Sequence, residues 1–319
     1  MSDLQTTLLT QLKSPDPAQR QVALAQLDEV LDARALDPLL LALTDADSGV
    51  RTLAIGLLED LGDHRAVPAL IAALADPVEA VHEAAQAALR EFRGAQAADP
   101  LIAAIASPDP RVRRGVVFAL REFKAPAALQ PLIGALADPA PEVRREAVLT
   151  LAYLRSGESV DPLRQRLRDD DAAVRRLAVG ALSFFLAPAL IDDLIAVTTD
   201  ADWQVRREAA IVLGRSALNR SVPALLKSLH DPFWQVQKEA ATSLGRLQAY
   251  AAIPALIALL GAASPDVRKA AAHALGDLSA HDAIGALRAL SSDADIEVRK
   301  SAERAWRAIA AATATGSPT

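Results

Sequence analysis

The chain has no cysteine, few aromatic residues and no long apolar run. Without cysteine there can be no disulfide, thiol nucleophile or thiolate metal ligand, which fits a reducing compartment. Aromatics make up 3% of the residues, and Val and Ile do not fall in alternating runs, so strands are not expected. No apolar stretch approaches the roughly 20 residues that span a bilayer. The start, Met1-Ser-Asp-Leu-Gln, has neither a basic n-region nor an apolar h-region, so no secretion signal and a cytoplasmic location are expected. The net charge of -6 argues against a general polyanion binder, and nucleic acid ranks last among the ligands considered. There is no phosphate-cradling glycine loop, nucleophile elbow or zinc spacing. The histidines do not converge; His82-Glu83 is the only His-Glu pair, where a di-iron site would need several. No catalytic or metal-binding residue is therefore assigned.

What the chain does have is a repeated word. Trp203-Gln-Val205-Arg206-Arg207-Glu208-Ala-Ala-Ile-Val-Leu213-Gly214 returns 31 residues later as Trp234-Gln-Val236-Gln237-Lys238-Glu239-Ala-Ala-Thr-Ser-Leu244-Gly245. Its valine recurs at the same interval as Val50, Val81, Val112, Val143, Val174, Val205, Val236, Val267 and Val298. One step back falls on Gln19, whose neighbours Ala23 and Leu27 keep the pattern. A 319-residue chain would ordinarily split into domains, but in a repeat array each unit buries its face on its neighbours. The period predicts about ten two-helix units in one array over residues 1–309, with 310–319 a disordered tail.

Within a unit, proline marks the first turn of the first helix, as at Pro38, Pro68, Pro100, Pro131, Pro223 and Pro254. A break carrying an aspartate follows (Asp45, Asp76, Asp138, Asp169, Asp200, Asp231, Asp293), and Asp47, Asp109, Asp171, Asp202, Ser264 or Asp295 caps the second helix. Four residues after the valine stands a small residue, Ala54 through Ala302 with Val116 the exception. Eight after stands leucine, Leu58 through Leu275 and then Trp306. At about 100° per residue these positions form one apolar stripe.

These words, with Leu61-Gly-Asp63-His64-Arg65-Ala66-Val67-Pro68-Ala69-Leu70-Ile71, resemble the short HEAT-like repeats of the phycobilisome-lyase type. The ankyrin and tetratricopeptide signatures are missing. The fold expected is all-α, an α-solenoid superhelix on the order of 100 Å long at ~9–10 Å between packed helices. The resemblance places first helices on the convex side and second helices on the concave side, and implies that the Asp column and the Arg after the valine form a structural ladder between units.

Three other columns are free for recognition. The second residue after the valine becomes cationic at Arg114, Arg145, Arg176 and Arg207, then Lys238, Lys269 and Lys300, nearly opposite the stripe and so facing solvent. Beside it the sixth position reads Phe118, Leu149, Gly180 and Ile211, and the tenth adds Tyr153 and Phe184. Glu146, Glu208 and Glu239 interleave this face, and in the alternative it is simply a solvated surface, its apolar residues buried by curvature. In the same region Ser183-Phe184-Phe185-Leu186-Ala187-Pro188 replaces the usual polar turn, and Asp193 stands where Pro162 stood one unit earlier. Trp203, Phe233 and Trp234 form a second candidate surface along one edge.

Cationic and apolar rows side by side suit an acidic or amphipathic protein segment, so a non-catalytic scaffold is the leading reading. The resemblance supplies the alternative: a lyase-type protein that holds a linear tetrapyrrole and assists its attachment to, or removal from, phycobiliproteins. The cations would then meet the propionates, and Phe118, Tyr153 and Phe184 the rings. A bilin is the one ligand so implied; no other cofactor is expected.

Overall fold

The computed structural model describes residues 2–123, 126–185, 188–216 and 218–314. Among these residues the secondary structure is helical throughout, and the chain divides into two compact units, Met1–Ser159 and Val160–Thr319. The first contains α1 (Ser2–Gln11), α2 (Pro17–Leu27), α3 (Leu36–Ala42), α4 (Ser48–Leu61), α5 (Val67–Ala73), α6 (Glu79–Glu91), α7 (Ala95–Ala104), α8 (Pro110–Leu120), α9 (Pro126–Gly134) and α10 (Pro141–Leu154). The second contains α11 (Val160–Gln165), α12 (Ala172–Leu182), α13 (Pro188–Val197), α14 (Trp203–Leu213), α15 (Val222–Ser228), α16 (Trp234–Arg246), α17 (Ile253–Leu259), α18 (Pro265–Asp277), α19 (Ile284–Ala289) and α20 (Ile296–Ala314). The tail expected to be disordered is helical as far as Ala314, and 315–319 lie outside the described residues.

Each odd-numbered helix packs on the even-numbered helix after it, and within each unit the even-numbered helices pack on one another in chain order. This is the α-solenoid arrangement, and the 31-residue stripe explains it. The fourth-position residues, Ala54 through Ala302 and Val116, and the eighth-position leucines, Leu58 through Leu275, are 0–1% exposed. Small side chains let the even helices approach and leucines fill the seam. Asp47, Asp109, Asp171, Asp202 and Asp295 accept backbone N–H bonds as helix caps; Ser264 makes no such bond. Pro100 and Pro131 depart from the expected first-turn position, because α7 and α9 each begin five residues earlier and carry their proline inside the helix.

In the second unit a glycine column brings the even helices closer still. A Cβ on Gly245 would stand 2.9 Å from Ala274 Cα, and one on Gly276 3.2 Å from Ala305 Cβ. At Gly214 a Cβ would overlap Ser243, whose hydroxyl donates across the seam to Ala210 O at 2.8 Å.

Candidate functional site

The Asp and Arg columns come together as a ladder. Arg51–Asp76, Arg113–Asp138, Arg175–Asp200, Arg206–Asp231 and Arg268–Asp293 are each two-pronged, Nε donating to Oδ2 at 2.6–2.8 Å and Nη2 to Oδ1 at 2.8–3.0 Å. In each, Nη1 turns back to the carbonyl six residues earlier, at 2.7–2.9 Å. One guanidinium thus fastens its own loop and the aspartate of the next repeat. Arg20, one period before Arg51, pairs with Asp45 at 2.6 Å and starts the ladder. Hydrogen bonding from Arg268 holds the Asp293 carboxyl below the ordinary range. At Asp76, Asp138 and Asp200 burial works against ionisation, but the arginine and backbone donors outweigh it.

Two positions break the ladder. At the first, His82 replaces arginine and is buried; its Nδ1 lies 2.7 Å from Leu74 O and its Nε2 3.3 Å from Arg114 Nη2. Since a carbonyl only accepts and a guanidinium only donates, Nδ1 carries the proton. At the second, Gln237 replaces arginine and donates to Asp231 O at 2.7 Å.

In the first unit the candidate residues Arg114, Phe118, Arg145, Leu149 and Tyr153 lie on the adjacent helices α8 and α10. Leu149 and Tyr153 are 41% and 49% exposed. Phe118, expected at the surface, is half-buried because two guanidiniums cover it: Arg90 Cζ lies 5.2 Å from the ring centroid and Arg121 Cζ 5.0 Å. Arg121 also lies 5.9 Å from the Tyr153 ring and donates to Glu146 at 2.7 Å. Burial pushes the Glu146 carboxyl up, with the charges of Arg121 and Arg114 acting against it. Arg90 and Arg121 stand at the ninth position after the valine, a column the reading of the second, sixth and tenth positions passed over. The signal was Arg121 three residues after Phe118, one turn along the same helical face. Arg114 and Arg145 are half-buried rather than fully solvent-facing.

In the second unit Arg176 is exposed, Phe184 is 53% exposed, and Arg207 and Ile211 are half-buried. The cationic row is interrupted by carboxylates of the same surface. Arg207 and Lys238 approach Glu239 Oε1 at 3.7 and 3.5 Å, Lys269 pairs with Asp266 at 2.8 Å and Lys300 with Glu297 at 2.9 Å. Of the irregular turn, Leu186 and Ala187 lie outside the described residues, while Asp193 receives a 2.6 Å bond from Arg164. On the edge, Trp203 stacks on Phe233 with centroids 5.5 Å apart and planes 10° from parallel, and Arg206 lies 5.6 Å from the Phe233 ring. Trp234 stands apart, 41% exposed, over a cavity of about 580 Å³ lined by Leu229, Pro232, Gln237 and Leu259.

Other concavities, unforeseen from the sequence, lie between odd-numbered helices. One of about 630 Å³ sits between α1 and α3 beside Leu9, Leu12 and Leu41; another of about 600 Å³ between α11 and α13 is lined by Arg164, Arg168 and Asp193. Among the described residues no group of three or more His, Asp or Glu is placed to hold a metal ion, and no helix is long and apolar enough to cross a membrane.

A family model described as HEAT repeats matches residues 6–90, 80–152, 98–183, 132–214, 160–232 and 222–307. A search of curated proteins finds no match. Among solved structures, an engineered protein is similar over 97% of this chain and 99% of its own, at 23% identity and a TM-score of 0.53. A chain of the structure in which Kap95p binding induces the switch loops of RanGDP is similar over 96% of this chain and 50% of its own, at 15% identity and a TM-score of 0.65. The Escherichia coli protein YibA is similar over 92% of this chain and 99% of its own, at 19% identity and a TM-score of 0.53. At these identities the likeness establishes the fold alone.

Proposed function

The chain belongs to the HEAT-repeat family, and we propose that it is a non-catalytic scaffold whose second helices hold an acidic, amphipathic segment of a protein partner. One observation carries this reading: on α8 and α10, Leu149 and Tyr153 are exposed beside Arg121, with Phe118 held between Arg121 and Arg90. Exposed apolar side chains next to charge mark interaction surfaces. Aromatic rings and arginine are the residue types that concentrate binding energy at interfaces. The guanidiniums supply complementarity to carboxylates, and Leu149 and Tyr153 supply area for an apolar face. Arg176, Phe184, Arg207 and Ile211 offer a second patch of the same chemistry in the second unit. A cytoplasmic setting belongs to the same reading.

A photo-crosslinking side chain placed at Tyr153 tests it in cells or lysate. The expected result is a discrete protein adduct whose crosslinked peptide is rich in Asp and Glu, absent when the crosslinker sits at exposed Leu41. It should disappear when Arg114 and Arg145 are both changed to Glu with helicity retained. Identical adducts at both positions, or none at Tyr153, would sink the proposal. The phycobilisome-lyase reading uses the same cluster. It would prevail if a linear tetrapyrrole mixed with purified protein gave a shifted visible band that Arg145→Ala with Tyr153→Ala removes.

A further inference from the structure

The tryptophan edge occurs twice, the second time with one part left out. Trp203, in the first turn of α14, is covered by Phe233 of the next repeat, stacked at 5.5 Å and 10° from parallel, and Arg206 lies 5.6 Å from the same ring. Trp234 holds the equivalent place in α16, one period on. There the residue corresponding to Phe233 is Ser264, and the one corresponding to Arg206 is Gln237. The ladder acid changes as well: Asp231, which grips Arg206, corresponds to Ala262. Trp203 is half-buried, whereas Trp234 is 41% exposed.

The cavity of about 580 Å³ beside Trp234 lies where these three smaller or shorter side chains stand, since Gln237, Ala262 and Ser264 all line it. Two of its other walls turn apolar over the same period, Leu229 corresponding to Thr198 and Leu259 to Ser228. No Arg, Lys, Asp or Glu lines it, and His230 is its one titratable side chain. The cavities between α1 and α3 and between α11 and α13, by contrast, carry charges of both signs. Gln237 is turned to Asp231 O, and the Ser264 side chain makes no cap bond to α18. Among the described residues no ring or guanidinium meets the Trp234 indole.

We propose that Trp234 and this cavity form a docking site for an aromatic side chain of a protein partner, carried on an uncharged segment and lying where Phe233 lies one repeat earlier. Register names the occupant, because the preceding repeat shows which side chain completes this edge when the chain supplies it. Charge agrees. An ionised group moved into a hollow without a counter-charge loses its hydration uncompensated, so a carboxylate or ammonium is disfavoured. A neutral ring gains both apolar burial and stacking on the indole. Tryptophan beside a pocket is also the residue type that concentrates binding energy. The site is separate from the α8–α10 cluster, selects a different chemistry and does not depend on that cluster's role.

The chain's own Pro232–Phe233 pair provides the probe: acetyl-Ala-Pro-Phe-Ala amide, with its leucine and glutamate counterparts, titrated into the full-length protein while the tryptophan indole N–H signals are followed by NMR. Of the three tryptophans only Trp234 should shift, saturably at millimolar peptide, because Phe233 covers Trp203 and two guanidiniums flank Trp306. The leucine peptide should bind roughly three- to tenfold more weakly, the margin that an aromatic pair contributes beyond its area. The glutamate peptide should leave the signal in place. Ser264→Phe lets the chain supply its own ring and should abolish binding, whereas Ser264→Ala should bind as the unaltered protein does. The peptide comparison uses the unaltered protein and so stays decisive even if Ser264→Phe disturbs the fold. Equal binding of the phenylalanine and leucine peptides would make the hollow a general apolar site and overturn the proposal. So would an unmoved Trp234 signal, or undiminished binding to a folded Ser264→Phe variant. Crosslinking at Tyr153 should be indifferent to Ser264→Phe, which separates the two sites.

Discussion

At the scale of single residues, adjacent arginines have opposite roles. Arg206 and Asp231 are only 11% and 8% exposed, and the guanidinium also binds two loop carbonyls, so its removal strands a buried carboxylate. Arg207, next in sequence, is 42% exposed and only 3.7 Å from Glu239. Breaking a buried pair from one side costs about 3 kcal/mol or more, whereas an exposed pair contributes about 0–1 kcal/mol. Arg206→Ala should accordingly lower the urea midpoint clearly, and Arg207→Ala should leave it nearly unchanged; equal effects would contradict the assignment of Arg206 to the ladder. Four helix ends show a similar division of labour: Gly62 takes a left-handed cap freely, while Arg155, Gln248 and Ser279 adopt positive φ without being glycine. A column of cap positions thus persists although the residue suited to it does not.

Between elements, the decisive contacts in the second unit are made where a side chain is missing. Gly245 sits in α16 with no need for positive φ, and its lack of a Cβ lets α18 come within contact of the backbone. Gly245→Ala should cost about 1–3 kcal/mol, since the obstructing atom is backbone and cannot swing away. Gly56 in α4 has open space at the same test, so Gly56→Ala should instead stabilise by up to about 1 kcal/mol through helix propensity. Thermal melts of the two variants moving in opposite directions would verify the close approach; a neutral Gly245→Ala would refute it. The sequence word ends in this glycine, yet periodicity alone assigns it no task, because a glycine in a helix reads the same whether it faces solvent or a neighbour.

For the molecule as a whole, the ladder ties stability to pH. Asp45, Asp76, Asp138, Asp200 and Asp293 have carboxyls held below their ordinary values, so the folded state releases their protons more readily than the unfolded one. The resulting stability is fully present above the unfolded value of about 3.9 and is lost as pH falls through the folded values. Glu146 and Glu59, pushed up by burial, act in the opposite sense, each gaining the fold stability on protonation. The lowered carboxyls, these five ladder aspartates with Asp32, Asp47, Asp63, Asp266 and Glu297 beside them, outnumber the two raised ones and predict a melting temperature nearly flat from pH 8 to about 5 and falling steeply below about pH 4. A midpoint that rises on acidification would mean that the ladder does not carry the stability assigned to it.

The sequence by itself determined the period, the two-helix unit, the buried stripe and the recurrence of the Asp and Arg columns, whose ladder role the family resemblance implied. Each depends on residues spaced 3–4 or 31 apart, and helical geometry turns such spacing directly into position. Only the tertiary structure decided which outward-facing residues meet one another. Phe118 reads as exposed on its own helix and is covered because Arg90 arrives from α6, a contact that α8 alone cannot reveal. A helical wheel specifies direction from one axis; contact requires the second axis, and that distance is set by the packing of whole helices.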